Sequence, residues 1–200
     1  MGERGPRTGE RVGRPAVTTA HELAAVAQHL FVAQGFDRTS IDDIARAAGI
    51  GRRTFFRYFD TKADVLFVES PAELDRLRAG LRAAPRGEPY RAVVTRAVVE
   101  ALRHAPEDRE WALQRAQLVL GVPALAAHAA VVFSRWRQVA SDYARTLAFE
   151  DVHFPGAVGH AVLASTVAAH EHWIAHPDTE LTDALTGMLA LILPPEPDPS

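Results

Sequence analysis

Between Ser40 and Phe59 the chain spells two short helices around a single glycine, and nothing else in it restricts the fold as strongly. Ser40-Ile41-Asp42-Asp43 is a capping box, in which a hydroxyl and a carboxylate each take up an orphan backbone donor. Ile41, Ile44, Ala45 and Ala48 share one side of the helix it opens, and Gly49 ends that helix. A second helix follows as Arg52-Arg53-Thr54-Phe55-Phe56-Arg57-Tyr58-Phe59. The turn between them needs a residue that tolerates positive φ, supplied by Gly49, and an apolar pin, supplied by Ile50. Short helix, glycine turn, short helix is the helix-turn-helix arrangement.

The flanks extend the same pattern. Thr19-Ala20-His21-Glu22 is another capping box, followed by a one-sided stripe of Leu23, Val26, Ala27, Leu30 and Phe31 that Gly35 stops at a left-handed cap. Asp60-Thr61-Lys62-Ala63-Asp64 predicts the start of a fourth helix, and Ser70-Pro71-Ala72-Glu73 a further box opening a helix to Arg82. Proline, glycine and aspartate signals predict helices over 89–104, 107–120, 123–149, 155–176 and 179–193. No stretch alternates apolar and polar residues over strand length, so the expected fold is all-α. The expected organisation is a basic disordered tail (1–18), a three-helix helix-turn-helix domain (19–67), a second helical domain (68–193) and a disordered end (194–200).

Composition narrows the class. At 48% hydrophobic and 24% charged the chain is ordinary globular protein. The absence of cysteine removes disulfides, thiolate zinc sites and cysteine nucleophiles, and suits a reducing cytosol. Residues 1–18 lack the apolar run of a signal peptide. Two uncharged stretches, 116–134 and 152–170, are broken by Gly121-Val122-Pro123 and His128 and by Pro155, Gly156, Gly159 and His160. They read as buried helices rather than membrane spans, so the expectation is a cytoplasmic protein with no membrane partner.

Net charge is −3, which by itself argues against nucleic acid. By region it does not. Residues 1–64 hold ten basic and eight acidic side chains, whereas 65–200 hold twelve and seventeen. Within 46–62 alone, Arg46, Arg52, Arg53, Arg57 and Lys62 stand against Asp60. That cluster sits where a recognition helix enters the major groove. Arginine can fork onto guanine, and Thr54 can meet a thymine methyl or a phosphate. Tyr58 and Lys62 stand where phosphates would be clamped. Phe55 and Phe59 must face the core, which leaves Phe56 outward beside arginines as a candidate DNA contact. The plain alternative is a solvated basic face over a phenylalanine core.

Residues 19–67 resemble the DNA-binding domain of the tetracycline-repressor (TetR) family. The residues that carry the resemblance are Leu30-Phe31, Gly35-Phe36, Thr39-Ser40-Ile41, Ile44-Ala45, Ala48-Gly49-Ile50, Thr54 to Phe59, Thr61-Lys62 and Leu66. The resemblance implies an all-helical homodimer with a DNA-binding domain over 19–67 and a ligand-binding and dimerisation domain over 68–193, which represses transcription from a palindromic operator and is released by a small ligand. It places base contacts on Arg52, Arg53 and Thr54, and phosphate contacts on Thr39, Ser40, Tyr58 and Lys62. The chain departs from the family pattern at Gly51, where a capping hydroxyl is usual, at Arg53, usually small, and at Phe56, usually tyrosine. The run from Gly51 to Lys62, with Leu120-Gly121-Val122-Pro123-Ala124-Leu125 and Trp136-Arg137, is similar to a subgroup of actinobacterial regulators described as acyl-CoA-like ligand-binding factors, which includes the mycofactocin-system regulators.

Residues 65–200 carry no catalytic signature, and nothing in the sequence calls for a cofactor. His170, Glu171, His172 and His176 form the one metal-like group; lacking a third ligand nearby, it reads as a helix end, and no metal is expected. Trp111, Gln114, Arg115 and Leu118 share one helix face, Phe133, Trp136 and Arg137 lie on the next helix, and His170 and Trp173 on a later one. Together they are candidates to line a pocket for a small hydrophobic ligand such as an acyl-CoA, with Arg109, Arg115 and Arg137 at its mouth for phosphates; ordinary core is the alternative. Ala157, Ala161, Ala164 and Ala168 form a small-residue stripe expected at the dimer interface, against which stands simple filling of the chain's own core. Two further functional readings stay open: a DNA-binding regulator with no small-molecule ligand, and an all-helical enzyme or carrier using the pocket.

Overall fold

The computed structural model describes residues 19–147 and 149–197. The expected basic tail, 1–18, lies outside them. Among the described residues every element is helical: α1 (Ala20–Gln34), α2 (Ile41–Ala47), α3 (Arg52–Tyr58), α4 (Ser70–Arg82), α5 (Tyr90–Leu102), α6 (Arg109–Gly121), α7 (Pro123–Arg145), α8 (Phe154–Ala175) and α9 (Leu181–Ile192), with 3-10 turns at Asp64–Phe67 and Pro106–Asp108. No described helix is long and apolar enough to cross a membrane.

Local chemistry sets the first three helices. The Thr19 amide donates to Glu22 Oε2 at 3.0 Å while the Glu22 amide donates to Thr19 Oγ1 at 3.1 Å, and Ser40 and Asp43 repeat this reciprocal cap at 3.1 Å each way. The hydrogen bonds from Ser40 also hold the Asp43 carboxyl below its ordinary range. Gly49 has φ +68°. The Ile50 amide then returns to the Ala45 carbonyl at 3.0 Å, closing the turn. Gly35 differs from the left-handed cap expected of it. At φ 90°, ψ 147° it occupies a region open essentially to glycine alone.

Two expectations fail at the join. Residues 60–63 form no helix; the segment tightens into the 3-10 turn, where the Thr61 amide donates to Asp64 Oδ2 at 2.6 Å. The box predicted at Ser70–Glu73 does not form either. Ser70 lies inside α4, which starts after Glu69 with Pro71 in its first turn, and the Glu73 side chain turns away to an arginine on α6.

Two cores result. One gathers Leu23, Ala27, Phe31, Ile44, Phe55, Phe59, Val65 and Leu66, and is completed by Val119 of α6 and Leu125 and Ala129 of α7. Position 67 is thus a boundary in chain order rather than in packing. The other core joins α4, α5 and α7–α9 through Leu77, Val93, Val98, Trp136, Val158, Val162, Trp173 and Leu185. Glycine permits the closest helix approach in it: a Cβ on Gly159 would lie 2.1 Å from Ser141 Oγ and 2.7 Å from the Arg137 carbonyl. Residues 194–197, part of the end expected to be disordered, reach the start of α5 by two hydrogen bonds. The Tyr90 amide donates to Glu196 Oε1 at 3.1 Å and the Tyr90 hydroxyl donates to the Pro194 carbonyl. Burial pushes the Tyr90 phenol up to about 12.

Candidate nucleic-acid interface and ligand cavity

α3 presents its charged side because Phe55 and Phe59 bury the other. Phe56 stands out between them at 42% exposure, with the Arg52 guanidinium 5.5 Å from its ring centroid. Arg52 is also tethered to α2, reaching Asp42 at 3.1–3.2 Å. Arg53 is exposed and makes no ion pair or hydrogen bond with the described residues. Thr54 is half-buried beside it. Arg57 donates to the Tyr58 hydroxyl at 3.2 Å and lies over its ring. Gly51 caps α3 without a side-chain hydrogen bond, as a glycine must.

The residues assigned to phosphates sit in unequal positions. Ser40 is exposed, but its hydroxyl is committed to Asp43. Lys62 donates to the Phe36 carbonyl at 2.7 Å and the Thr39 carbonyl at 3.0 Å, which leaves one of its three protons free. Thr39 corrects the expectation. It is 1% exposed and donates to the Gly35 carbonyl at 2.9 Å, so its hydroxyl braces the α1–α2 loop and faces away from any phosphate.

A cavity of about 430 Å³ opens between α1, α4, α6, α7 and α8. Of the nine side chains expected to line it, Trp111, Arg115, Phe133, Trp136, His170 and Trp173 do. Three do not. Gln114 turns out to Glu110 at 3.2 Å, Leu118 packs on the first core, and Arg137 lies against Gly159 where α7 meets α8. Sequence reasoning missed Glu73, Arg76, His104 and Thr166 in the wall, along with His21 and Ala25 of α1.

The wall's charges are equal in number, Arg76, Arg103 and Arg115 against Glu69, Glu73 and Asp108, with Arg115 and Glu73 paired to each other. Arg115 pairs with Glu73 at 2.9 Å, both largely buried, and its guanidinium covers the Trp111 ring at 5.2 Å. Arg76 donates twice to the Ala101 carbonyl, at 2.8 and 3.1 Å. His104 stacks on Trp173 with centroids 5.4 Å apart. Burial pushes the His170 imidazole below its ordinary value, and Nδ1–H donates to the Thr166 carbonyl at 2.8 Å. Neutral His170 therefore keeps Nε2 as an acceptor. Arg109, expected at a phosphate-binding mouth, instead ties down the α8–α9 connection through the Thr179 carbonyl at 2.7 Å.

The alanine stripe of α8 divides. Ala161 is buried in its own chain's core, Ala168 is half-buried, and only Ala157 and Ala164 are exposed. On α9, Leu191 is 82% exposed, a large apolar side chain with no cover from its own chain. Among the described residues no cluster of His, Asp or Glu could hold a metal ion.

Comparisons with known proteins match two regions of the chain. Residues 23–68 match the family model for bacterial regulatory proteins of the tetR family, and residues 88–197 match that of the MftR C-terminal domain. The mycofactocin biosynthesis transcriptional regulator MftR of Mycobacterium tuberculosis is 33% identical over 185 residues, 88% of this chain and 89% of the relative. A TetR-family regulator of Syntrophomonas wolfei superposes with a TM-score of 0.65 at 17% identity, covering 86% of this chain and 91% of that one. The repressor FadR of Thermus thermophilus, solved with lauroyl-CoA, gives 0.56 at 21% identity, covering 91% and 100%. The chain belongs to the TetR family of bacterial transcriptional regulators.

Proposed function

We propose that the chain is a dimeric cytoplasmic repressor, released from a palindromic operator when an acyl-CoA or similar hydrophobic ligand fills the cavity. One observation carries the reading: α6 walls the cavity with Trp111 and Arg115 and, one turn on, completes the core of the DNA-reading unit with Val119. Arg52, Arg53 and Thr54 read bases, Tyr58, Lys62 and Ser40 hold the backbone, and Phe56 adds an apolar contact. Two copies are needed to set recognition helices about 34–36 Å apart, and exposed Leu191 with Ala157 and Ala164 supplies apolar surface for pairing.

The ligand reading is supported by the lauroyl-CoA bound to the FadR neighbour and by the equal numbers of opposite charges in the wall. A neutral, aromatic wall suits an acyl chain and its uncharged thioester, and leaves the phosphates outside. Selecting bound sequences from a random DNA pool tests the first half; a two-fold-symmetric consensus is expected. Titrating lauroyl-CoA into the resulting complex tests the second, with release expected. A monodisperse monomer in light scattering contradicts the dimer.

A further inference from the structure

α1 buries a side chain that its apolar stripe does not explain. Gln28 is 1% exposed among Ala24, Ala27 and Phe31, and its amide Nε2 donates at 2.9 Å to the backbone carbonyl of Trp111, 83 residues along the chain. Trp111 is also cavity wall. Each partner in this joint keeps one unmet polar atom, and the two are complementary: Oε1 of Gln28 lacks a donor and Nε1–H of Trp111 lacks an acceptor. The next turn of α6 holds Arg115, whose guanidinium covers the Trp111 ring and pairs with Glu73 of α4. A chain of contacts with both ends buried, Gln28–Trp111–Arg115–Glu73, thus links the first helix of the DNA-reading unit to α6 and α4 along the wall that a ligand would touch.

We infer that Gln28 is the coupling residue through which cavity occupancy reaches the DNA-reading helices. This deepens the ligand reading above and rests on it. A ligand that moves the Trp111 ring shifts the α6 carbonyl on which α1 hangs, and a rearrangement that brings the indole N–H to Gln28 Oε1 satisfies both orphan atoms together. The joint then has two discrete arrangements, and occupancy biases the choice between them. Leucine at position 28 fits the apolar surroundings but cannot grip the carbonyl.

The test uses the full chain, the selected operator and lauroyl-CoA as probe. Wild type and Gln28→Leu are each measured for ligand affinity by tryptophan fluorescence, and for operator affinity with and without saturating ligand. The wild type is expected to lose about tenfold or more in operator affinity with ligand bound. Gln28→Leu is expected to bind ligand and operator separately within about threefold of wild type, yet to lose most of that ligand effect. An unchanged ligand effect in the variant overturns the inference. A ligand-independent arm separates this from a wrong ligand class: Ala116→Leu, or Ala112→Leu if the first does not fold, fills the cavity from its wall and stands in for an occupant. Filling should weaken operator binding in the wild type and not in Gln28→Leu; equal weakening in both backgrounds sinks the coupling role even if lauroyl-CoA never binds. If the wild type ignores lauroyl-CoA while the filling cycle behaves as expected, the ligand class fails and Gln28 stands.

Discussion

The arginines of α3 and those of the cavity wall are the same residue type in opposite circumstances. On α3 they project into solvent: Arg53 makes no ion pair or hydrogen bond with the described residues, and Arg52 is held by the exposed Asp42 carboxylate and lies over the Phe56 ring. Around the cavity two wall guanidiniums are partnered within the chain, Arg115 to a carboxylate and Arg76 to a carbonyl. The difference teaches what each region is prepared to bind. Exposed arginines on a short helix present donors to an anionic, hydrogen-bonding surface, whereas wall arginines whose donors are already engaged have less to offer a charged guest.

That contrast can be broken by substitution, and the largest effect should come from the wall. Glu73→Leu strips Arg115 of its partner inside the protein and is expected to cost about 3–5 kcal/mol of stability in urea unfolding. A neutral result would show the pair to be solvated, and the wall less closed than its geometry indicates. On the other side, Arg53→Ala should leave unfolding unchanged while costing about 1–3 kcal/mol in operator affinity and relaxing one base preference. Equal loss on all DNA sequences would make Arg53 a phosphate contact instead. Smaller still, Ser40→Ala should cost about 1 kcal/mol of stability as a lost cap. An altered salt slope for DNA without loss of stability would mean that its hydroxyl serves the backbone of the operator first.

The smallest effect concerns pH. His170 is held below its ordinary value of 6.5 by burial, so the unfolded chain takes up its proton first as pH falls. Its contribution is complete above that value and is lost as pH drops through it. His170→Gln should flatten this acid-side decline in melting temperature, and an identical pH profile would place the imidazole in contact with solvent.

How much of this was legible in the sequence depends on how far apart the partners lie. Thr19 with Glu22 and Ser40 with Asp43 are three residues apart and form the caps their pattern predicts. The outward turn of Phe56 from Phe55 and Phe59 likewise follows from helical period alone. Ser70 with Glu73 has the same spacing and forms no cap, because the carboxylate finds Arg115, 42 residues on. The partner of Gln28 lies 83 residues away, and no local pattern marks it. Leu118 shares a helix face with Trp111 and Arg115 in the sequence, yet α6 runs between the cavity and the first core, so a single face serves both. Periodicity gives the face of a helix; only the packed structure says where along its length the neighbour changes.

The shared first core has a consequence for how such chains can be recombined. Because Val119, Leu125 and Ala129 close the packing around α1 and the 3-10 turn, the reading head is not a detachable part. Grafting residues 19–67 onto an unrelated body would expose Leu23, Phe31 and Leu66 wherever the new α6–α7 corner failed to match. Exchange of operator specificity between relatives should therefore travel by changes on the outer side of α3, or by transfer of head and corner together, and seldom by splicing at the point where the chain passes from one domain to the next.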